Sequence, residues 1–316
     1  MQKQLVSSGI AVGIALSLVL HVHAQQAQGR QGGQGRQGGA GAAGAPAQGG
    51  GGRQGATFQG MTIRARDGET NPAVINGPVP RMPDGHPDFS GTWEGGGTDG
   101  DVEVDGNLKP GELTSLLTPW GRQIYDSRAD VKYEEPYIYC LPMSVPRHNP
   151  YPWRFVFNYN AKGLDRIYIL HETGDAGAHR VVYMDGRGHP DPNTLIPTWW
   201  GHSIGRWEGD TLVVDTVGYN DKFWMDARGT PHSEKLHTIE RWTRINYGTM
   251  VDEFTLDDPV AFTKPITMKM AARITRPGVD LMEYICAENN QIGLAGGYLK
   301  EGSPGIGGGP PPALGK

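Results

Sequence analysis

Short runs of β-branched and aromatic residues, separated by turn residues, constrain the fold of this chain more than any other feature. Such runs occur at 154–159, 166–171, 180–184, 202–207, 211–217, 237–245, 250–256, 266–274 and 281–287, and each is predicted to be a strand. Alternate residues from Ile266 to Ile274 are all apolar, which is typical of a strand with one buried face. Tight turns at Gly209 and Gly248 join neighbouring runs. The pattern therefore predicts an all-β protein built as an antiparallel meander.

The edge strands of a sheet of this size have to be paired or covered, and this requirement limits the possible architectures. Only one helix is predicted, near 119–128, with Thr118 as its N-cap and Pro119 in its first turn. Without crossover helices, a long meander closes or curls, so we expect a closed barrel, with a β-sandwich as the alternative. Residues 89–93 are similar to the Gly-x-Trp opening strand of lipocalin-like (calycin-type) barrels. This resemblance favours a lipocalin-like barrel.

The two ends of the chain differ in composition from its middle. Residues 1–24 have a basic start, an apolar stretch and a small-residue cleavage site, which predicts a secretory signal peptide, with an uncleaved anchor as the alternative. Residues 25–80 are rich in Gly, Gln and Arg, and residues 299–316 in Gly and Pro, so both are predicted to be disordered. We therefore expect one β-rich domain at 81–298, in an exported protein of the periplasm or the extracellular space.

The charge and the motifs of the chain limit the classes of partner that are expected. The formal net charge is -5, which argues against nucleic acid as a partner. The sequence has no basic amphipathic stretch of the kind that attaches a protein to a membrane surface. The apolar N-terminal stretch is too short for stable membrane insertion. No phosphate-binding loop, dinucleotide fingerprint, haem-attachment motif or EF-hand occurs, so no cofactor is expected. The predicted partner is a small-molecule ligand or substrate, and the sequence predicts no oligomeric state.

The chain contains two cysteines, Cys140 and Cys286. An even pair in one domain of an exported protein predicts a disulfide bond, and two buried thiols are the alternative. The bond would close a long loop, which on the chain-entropy model is worth up to about 5 kcal/mol.

Four segments together resemble a family of secreted bacterial proteins that has no assigned reaction. They are Pro-Asp-Phe-Ser-Gly-Thr-Trp at 87–93, Tyr-Cys-Leu-Pro at 139–142, the Trp- and Asp-rich stretch at 199–221, and Glu-Tyr-Ile-Cys-Ala-Glu-Asn-Asn at 283–290. The resemblance extends over roughly residues 80 to 292. It implies an exported location and a fold, and it leaves the reaction open.

His202 and two nearby carboxylates are the expected catalytic residues. General acid–base chemistry needs a histidine oriented by a carboxylate, and Asp215 and Asp221 follow His202 after one tight turn. Pairing across this turn places His202 opposite a residue near Val217, one diagonal from Asp215. The alternative is that these residues only stabilise the hairpin.

Residues 201–205 match the Gly-x-Ser-x-Gly pattern of serine hydrolases. In those enzymes a helix follows the nucleophilic serine, whereas here a turn and a further strand are predicted. The sequence therefore argues against Ser203 as a nucleophile.

The turn after residue 245 also sets a register. With Asn246 opposite Thr249, Trp242 is predicted to stand opposite Glu253.

Aromatic and histidine residues between positions 199 and 242 predict a binding site for a flat, apolar or aromatic molecule, because tryptophan faces bind such molecules well. The expected ligand-binding residues are Trp199, Trp200, Arg206, Trp224, His232, His237 and Trp242. Packing in the barrel core is the alternative for the tryptophans. No metal is expected, and a site formed by His202, His232 and His237 is the less favoured alternative, because their spacing suits neither a helix nor a strand.

The sequence is compatible with three functions. The first is an exported β-barrel protein that binds a small apolar or aromatic molecule in a site lined by Trp and His. The second is a cofactor-independent lyase, isomerase or hydrolase that uses a His–carboxylate pair. The third is a structural or interaction protein of the cell envelope.

Overall fold

The part of the chain that the computed structural model describes lies within Gly51–Lys316. The described residues are 56–59, 61–63, 65–95, 100–131, 135–143, 145–173 and 179–286. The predicted signal peptide at 1–24 and the predicted tail at 299–316 lie outside the described residues.

Nine strands within the described ranges form a closed barrel, which confirms the predicted barrel rather than the sandwich. The strands of the chain are β1 (Ala56–Phe58), β2 (Met61–Ile63), β3 (Thr92–Gly95), β4 (Pro152–Asn160), β5 (Gly163–His171), β6 (His179–Tyr183), β7 (His202–Glu208), β8 (Thr211–Val217), β9 (His237–Asn246), β10 (Thr249–Asp257) and β11 (Ile266–Ile274). Strands β3 to β11 follow one another around the barrel, and β11 closes on β3.

One pair of strands departs from the predicted antiparallel meander. Strands β6 and β7 run parallel, with Val182 beside Ser203 and Tyr183 beside Ile204. A closed ring with an odd number of strands needs at least one parallel pair, since strand direction cannot alternate all the way round. The Pro- and Gly-rich loop at 185–200 makes the parallel pairing possible, because it returns the chain to the end of the barrel where β6 begins.

Aromatic side chains fill much of the barrel interior. Trp93, Trp153 and Phe155 are almost fully buried, and Trp242 is buried beside them. The indole ring of Trp153 packs edge-on against Phe155 at 5.2 Å and against Trp242 at 5.1 Å between ring centroids. Truncating a buried ring of this size to alanine typically costs about 3–5 kcal/mol. The interior is therefore a packed core.

The predicted helix is confirmed. It is called α3 because two short helices, α1 (Pro72–Ile75) and α2 (Val102–Asp105), precede it in the chain. Helix α3 spans Pro119–Ser127. The hydroxyl of Thr118 caps it by accepting a hydrogen bond of 3.0 Å from the backbone N–H of Gly121. Short 3₁₀ turns occur at Thr114–Leu116, Pro136–Tyr139 and Pro146–His148. In the described part of the chain, no helix has the length and the apolar character needed to cross a membrane.

Ordered structure begins earlier than predicted. Strands β1 and β2 pair as a hairpin, and Met61 and Ile63 are each 3% exposed because they pack on Val251 and Ala271 of the barrel wall. These elements lie within the 25–80 segment that was predicted to be disordered. The prediction is therefore wrong from residue 56 onward, and the domain boundary predicted at residue 81 is too late. Residues 25–55 lie outside the described ranges.

The predicted disulfide bond is confirmed. Cys140 and Cys286 are bonded, with their Cα atoms 5.6 Å apart and a sequence separation of 146 residues. The segment before Cys286 is not a strand, so the strand predicted at 281–287 is wrong over residues 281–286. Residue 287 lies outside the described residues. The bond therefore anchors an irregular segment.

A β-bulge shifts the register between β9 and β10. The pairing starts at Thr249 as predicted and then slips by one residue, so Trp242 stands opposite Asp252 and not opposite the predicted Glu253. Neighbouring residues of a strand face opposite sides of the sheet, and the slip therefore decides which carboxylate faces inward. Asp252 lies in the interior at 2% exposure, whereas Glu253 faces outward.

Candidate functional site

A groove of about 380 Å³ lies on the outer face of the barrel beside β6 and β7. Val182 and Ser203 are buried on the inner face, so the residues next to them in each strand point outward. The side chains that line this outer groove are aromatic, apolar or imidazole groups and include His179, Val181, Tyr183, Trp199, Trp200 and His202. The outer groove is therefore a mainly aromatic concavity with a few polar groups.

Gly201 turns the chain from the loop into β7. Its φ is +65°, and a Cβ atom at this position would lie 2.7 Å from the carbonyl oxygen of Val217, so the site requires glycine. Just before it, the N–H of Thr198 donates to the carbonyl of Gly218 at 2.9 Å, and the N–H of Asn220 donates to the carbonyl of Thr198 at 2.8 Å. These bonds position the half-buried Trp199 and Trp200 at the outer groove.

His202 is one end of a row of four polar side chains on the same outer face. Its Nδ1 atom lies 2.9 Å from Nδ1 of His189, and Nε2 of His189 lies 3.0 Å from Oδ1 of Asp215. The same carboxylate oxygen lies 2.8 Å from Nε2 of His237. We call these four residues the histidine–aspartate chain. Through His189, it connects the outer groove to a carboxylate.

The pKa shifts of the residues in the histidine–aspartate chain determine which of them are charged near neutral pH. The hydrogen bond with His237 is the largest influence on the pKa of Asp215 and lowers it; together with the bond from His189, it outweighs the effect of burial. The same bond raises the pKa of His237. Burial lowers the pKa of His202, and the nearby His189 and Arg187 lower it further. Asp215 is therefore ionised at neutral pH, and His202 is neutral.

The hydrogen-bond network also assigns the tautomers. Ionised Asp215 is an acceptor only, so His189 donates its Nε2–H, and the tautomer of His189 that carries its proton on Nε2 offers an unprotonated Nδ1 to His202. His202 donates its Nδ1–H to that atom and keeps a lone pair on Nε2. Its ring is also held by stacking on Tyr183, with 5.2 Å between centroids. A neutral, oriented histidine of this kind has the properties of a general base.

The predicted catalytic residues are only partly brought together. His202 stands opposite Val217, as predicted, and is connected to Asp215 through His189 rather than directly. Asp221 is exposed in the loop after β8, and its charge acts on Arg128. Asp221 is therefore not part of the histidine–aspartate chain.

Ser203 faces the barrel interior, away from the outer groove. It is 1% exposed, and its hydroxyl lies 2.8 Å from that of Thr216 on the neighbouring strand. Ser203 is the second residue of β7, and a further strand follows it, whereas a helix follows the nucleophile of serine hydrolases.

The predicted ligand-binding residues lie in several places. Trp199 and Trp200 line the outer groove, and His237 ends the histidine–aspartate chain. Trp242 lies inside the barrel, where core packing was the alternative. Arg206 points to solvent and forms an ion pair on its own strand.

The remaining two, Trp224 and His232, are buried within the loop between β8 and β9. The guanidinium of Arg128 lies 4.8 Å above the ring of Trp224. His232 stacks on Phe223 at 3.9 Å, and burial lowers its pKa to about 4. Neither residue lines the outer groove. Among the described residues, no group of three or more His, Cys, Asp and Glu side chains is placed to hold a metal ion.

A second polar cluster lies inside the barrel. Arg180 and Glu240 are 2% and 1% exposed and form an ion pair with two hydrogen bonds of 3.1 and 2.6 Å. Burial, followed by the charge of Glu240, raises the pKa of Asp252 well above its usual value. These three side chains border a cavity of about 10 Å³, which we call the inner cavity. Arg180 and the apolar Val182 are two residues apart in β6 and so share the inner face; this spacing is the sequence signal that Arg180 points inward.

The fold and the site define a closed β-barrel with an aromatic groove on its outer wall and a polar cluster in its core. Comparison with protein-family models, curated proteins and solved structures finds no significant match to this chain. Function therefore has to be argued from the site itself.

Proposed function

We propose that the protein binds a small, flat, largely apolar aromatic molecule in the outer groove. The groove itself carries this proposal: Tyr183, Trp199 and Trp200 present half-buried aromatic surface to an open concavity of about 380 Å³. This volume falls within the range of about 300–1,000 Å³ that is typical of small-molecule pockets. Aromatic rings in such a place bind flat ligands by stacking and by burial of apolar surface.

The outer groove is a better location for the ligand than the barrel interior. Trp153, Phe155 and Trp242 occupy the interior, and the inner cavity of about 10 Å³ has room for about one water-sized group. A ring system does not fit there. The polar groups of Tyr183 and His202 then supply orientation at the edge of the outer groove.

Calorimetric titration with ethylnaphthalene, an apolar bicyclic probe, tests this proposal. We expect saturable binding that Trp199→Ala weakens about tenfold or more, because the loss of a stacked ring costs on the order of 1–3 kcal/mol. Ile196→Ala is the matched control, since Ile196 lies in the same loop and is 80% exposed outside the groove. Absence of binding, or equal losses in the two variants, would refute the proposal.

A second function is favoured by the histidine–aspartate chain. His202 borders the outer groove and is oriented through His189 by ionised Asp215, which suits proton abstraction from a bound molecule. In this reaction Nε2 of His202 takes a proton from a carbon next to a carbonyl, and the same nitrogen returns a proton to that carbon. The net change is hydrogen exchange at that carbon without a cofactor.

Hydrogen–deuterium exchange tests this second function. Acetylnaphthalene carries acidic methyl hydrogens beside its carbonyl, and their exchange in deuterium oxide is followed by NMR. We expect the protein to accelerate exchange and His202→Gln to abolish the acceleration, a loss of about 100-fold or more, while ethylnaphthalene still binds. Lys222→Gln is the control, because Lys222 is exposed and does not belong to the histidine–aspartate chain. Exchange at the rate of buffer alone would exclude the reaction for this probe.

A further inference from the structure

Three buried side chains at the inner cavity carry polar atoms that need a hydrogen-bond partner. Trp153, His171 and Arg180 all line this cavity, and Trp153 and Arg180 are 1% and 2% exposed. None of the described residues forms a hydrogen bond with Trp153 Nε1, with Arg180 Nε or with either ring nitrogen of His171. Buried polar groups in native proteins are nearly always hydrogen-bonded, because an unpaired one has lost its contact with water for nothing. The three side chains therefore indicate a bound polar group.

The barrel strands bring these three side chains together. Trp153 of β4 stands directly opposite His171 of β5. Arg180 of β6 stands opposite Ile169, which is two residues before His171 on the same strand and therefore on the same face. Side chains that are opposite or diagonal on one face of a sheet lie about 5–8 Å apart. A single small group between them is thus within reach of all three.

The hydrogen-bonding character of the three side chains matches one water molecule. Trp153 Nε1–H and Arg180 Nε–H are donors only. Burial, followed by the charges of His148 and Arg180, lowers the pKa of His171 well below its usual value, so the ring is neutral and one nitrogen keeps a lone pair. A water oxygen accepts the two N–H bonds and donates an O–H to that lone pair. One water reaches one nitrogen of the ring, because the two nitrogens point away from each other.

The size and the surroundings of the inner cavity exclude a larger occupant. A space of about 10 Å³ is near the lower limit for one water. His171 lines this cavity and Trp200 lines the outer groove. The ring of His148 packs against both, with its centroid 4.5 Å from that of His171 and 4.8 Å from that of Trp200. This packed cluster separates the cavity from a molecule that occupies the groove.

The charges at the inner cavity favour water over an anion of similar size, such as chloride. Glu240 already balances Arg180 through two hydrogen bonds of 3.1 and 2.6 Å. Burial and the charge of Glu240 raise the pKa of Asp252, which favours its neutral form. A chloride ion would add a negative charge beside Glu240, which is unfavourable in a buried site. Water accepts the same two hydrogen bonds and adds no charge.

We propose that the inner cavity is a binding site for one buried water molecule, which accepts hydrogen bonds from Trp153 Nε1–H and Arg180 Nε–H and donates one to the ring of His171. The water then joins side chains of three consecutive strands, β4, β5 and β6, on the inner side of the wall that carries the outer groove. This inference is independent of the groove function, since it requires no ligand in the groove.

Nuclear magnetic resonance of the intact, disulfide-bonded and isotope-labelled protein tests the inference. Rotating-frame cross-relaxation spectra separate a proton beside a bound water from one that exchanges with solvent, because the two effects have opposite signs. We expect a cross-peak of the bound-water sign between the water line and the indole N–H proton of Trp153, which is assigned by its loss in Trp153→Phe. Trp93 is the control within the same molecule and should show no such peak, because it is 0% exposed and its indole N–H donates to the carbonyl of Phe89 at 3.0 Å. Absence of the Trp153 peak, or equal peaks at Trp153 and Trp93, overturns the inference.

A salt titration of the same sample distinguishes water from an anion. We expect the indole N–H signal of Trp153 to shift equally in sodium chloride and in sodium sulfate of the same ionic strength. A saturable shift that only chloride produces means that an anion occupies the inner cavity, which overturns the inference.

His171→Phe tests the third partner of the water. The substitution keeps an aromatic ring beside Trp200 and removes the acceptor, so we expect the Trp153 cross-peak to lose most of its intensity, because a buried water typically makes about three hydrogen bonds. His232→Phe is the matched control and should keep the peak, since His232 is also buried, at 3% exposure, but does not line the inner cavity. An unchanged peak in His171→Phe overturns the inference. The measurements on the wild type do not depend on whether this variant folds.

Discussion

Replacing Glu240 with glutamine tests whether Arg180, Glu240 and Asp252, the three ionisable side chains of the polar cluster in the barrel core, act as a unit. The substitution removes the counter-ion of Arg180, which is 2% exposed and donates two hydrogen bonds to Glu240. Breaking a buried ion pair by removing one partner costs about 3–5 kcal/mol. We expect a loss near the low end, about 3 kcal/mol, because a second carboxylate stands beside the pair.

That second carboxylate is Asp252. Burial is the main cause of its raised pKa, and the charge of Glu240 is the next cause. In Glu240→Gln this second cause disappears, so the pKa of Asp252 falls and the residue ionises to balance Arg180. In the wild type the raised pKa of Asp252 favours its neutral form, and Asp252→Asn alone should therefore cost about 1 kcal/mol or less. The double variant leaves Arg180 without a buried counter-ion.

The assay is urea unfolding followed by tryptophan fluorescence, with the disulfide bond intact and at neutral pH. The double variant should lose about 1–2 kcal/mol more than the sum of the two single variants. Glu208→Gln, in an exposed ion pair, is the control and should lose less than about 1 kcal/mol. Additive losses, or a loss in Glu240→Gln no larger than that in Glu208→Gln, would refute the reasoning.

Three further predictions concern stability. The pKa of buried His232 is lowered from 6.5 to about 4, so its contribution is fully present above pH 6.5 and is lost as the pH falls toward 4. Over this window urea unfolding should show a decrease of roughly 3 kcal/mol, which His232→Gln flattens. Replacing Cys140 and Cys286 together with serine should lower the free energy of unfolding by up to about 5 kcal/mol, and melting temperatures of oxidised wild type and the variant should differ accordingly. Gly201→Ala should cost about 1–3 kcal/mol more than Gly209→Ala, because only Gly201 lies against a backbone carbonyl; equal unfolding midpoints in urea would contradict this.

Local patterns were sufficient to predict most of the strands and the closed barrel. Alternation from Ile266 to Ile274 and the tight turn at Gly209 depend on neighbours in the chain, and both predictions are confirmed. The same turn placed His202 opposite Val217. These features are encoded within a few residues, and sequence reasoning therefore finds them.

The contacts that define the candidate site are not local. His189 comes from a loop, and only the tertiary fold brings it between His202 and Asp215. The inward position of Asp252 depends on a bulge that alternation alone does not reveal, because a slip of one residue exchanges the two faces of a strand. The hairpin β1–β2 was missed because two short strands carry little pattern until they pack on the barrel.

The parallel junction between β6 and β7 has a consequence for how the barrel opens. Only two pairs of residues, Val182 with Ser203 and Tyr183 with Ile204, join these strands, whereas β7 and β8 pair along their whole length. A short ladder has few hydrogen bonds to break, so local separation here requires less free energy than elsewhere in the wall. Amide protons at this junction should exchange with solvent sooner than those of β8. The barrel wall is thus expected to separate first beside the outer groove.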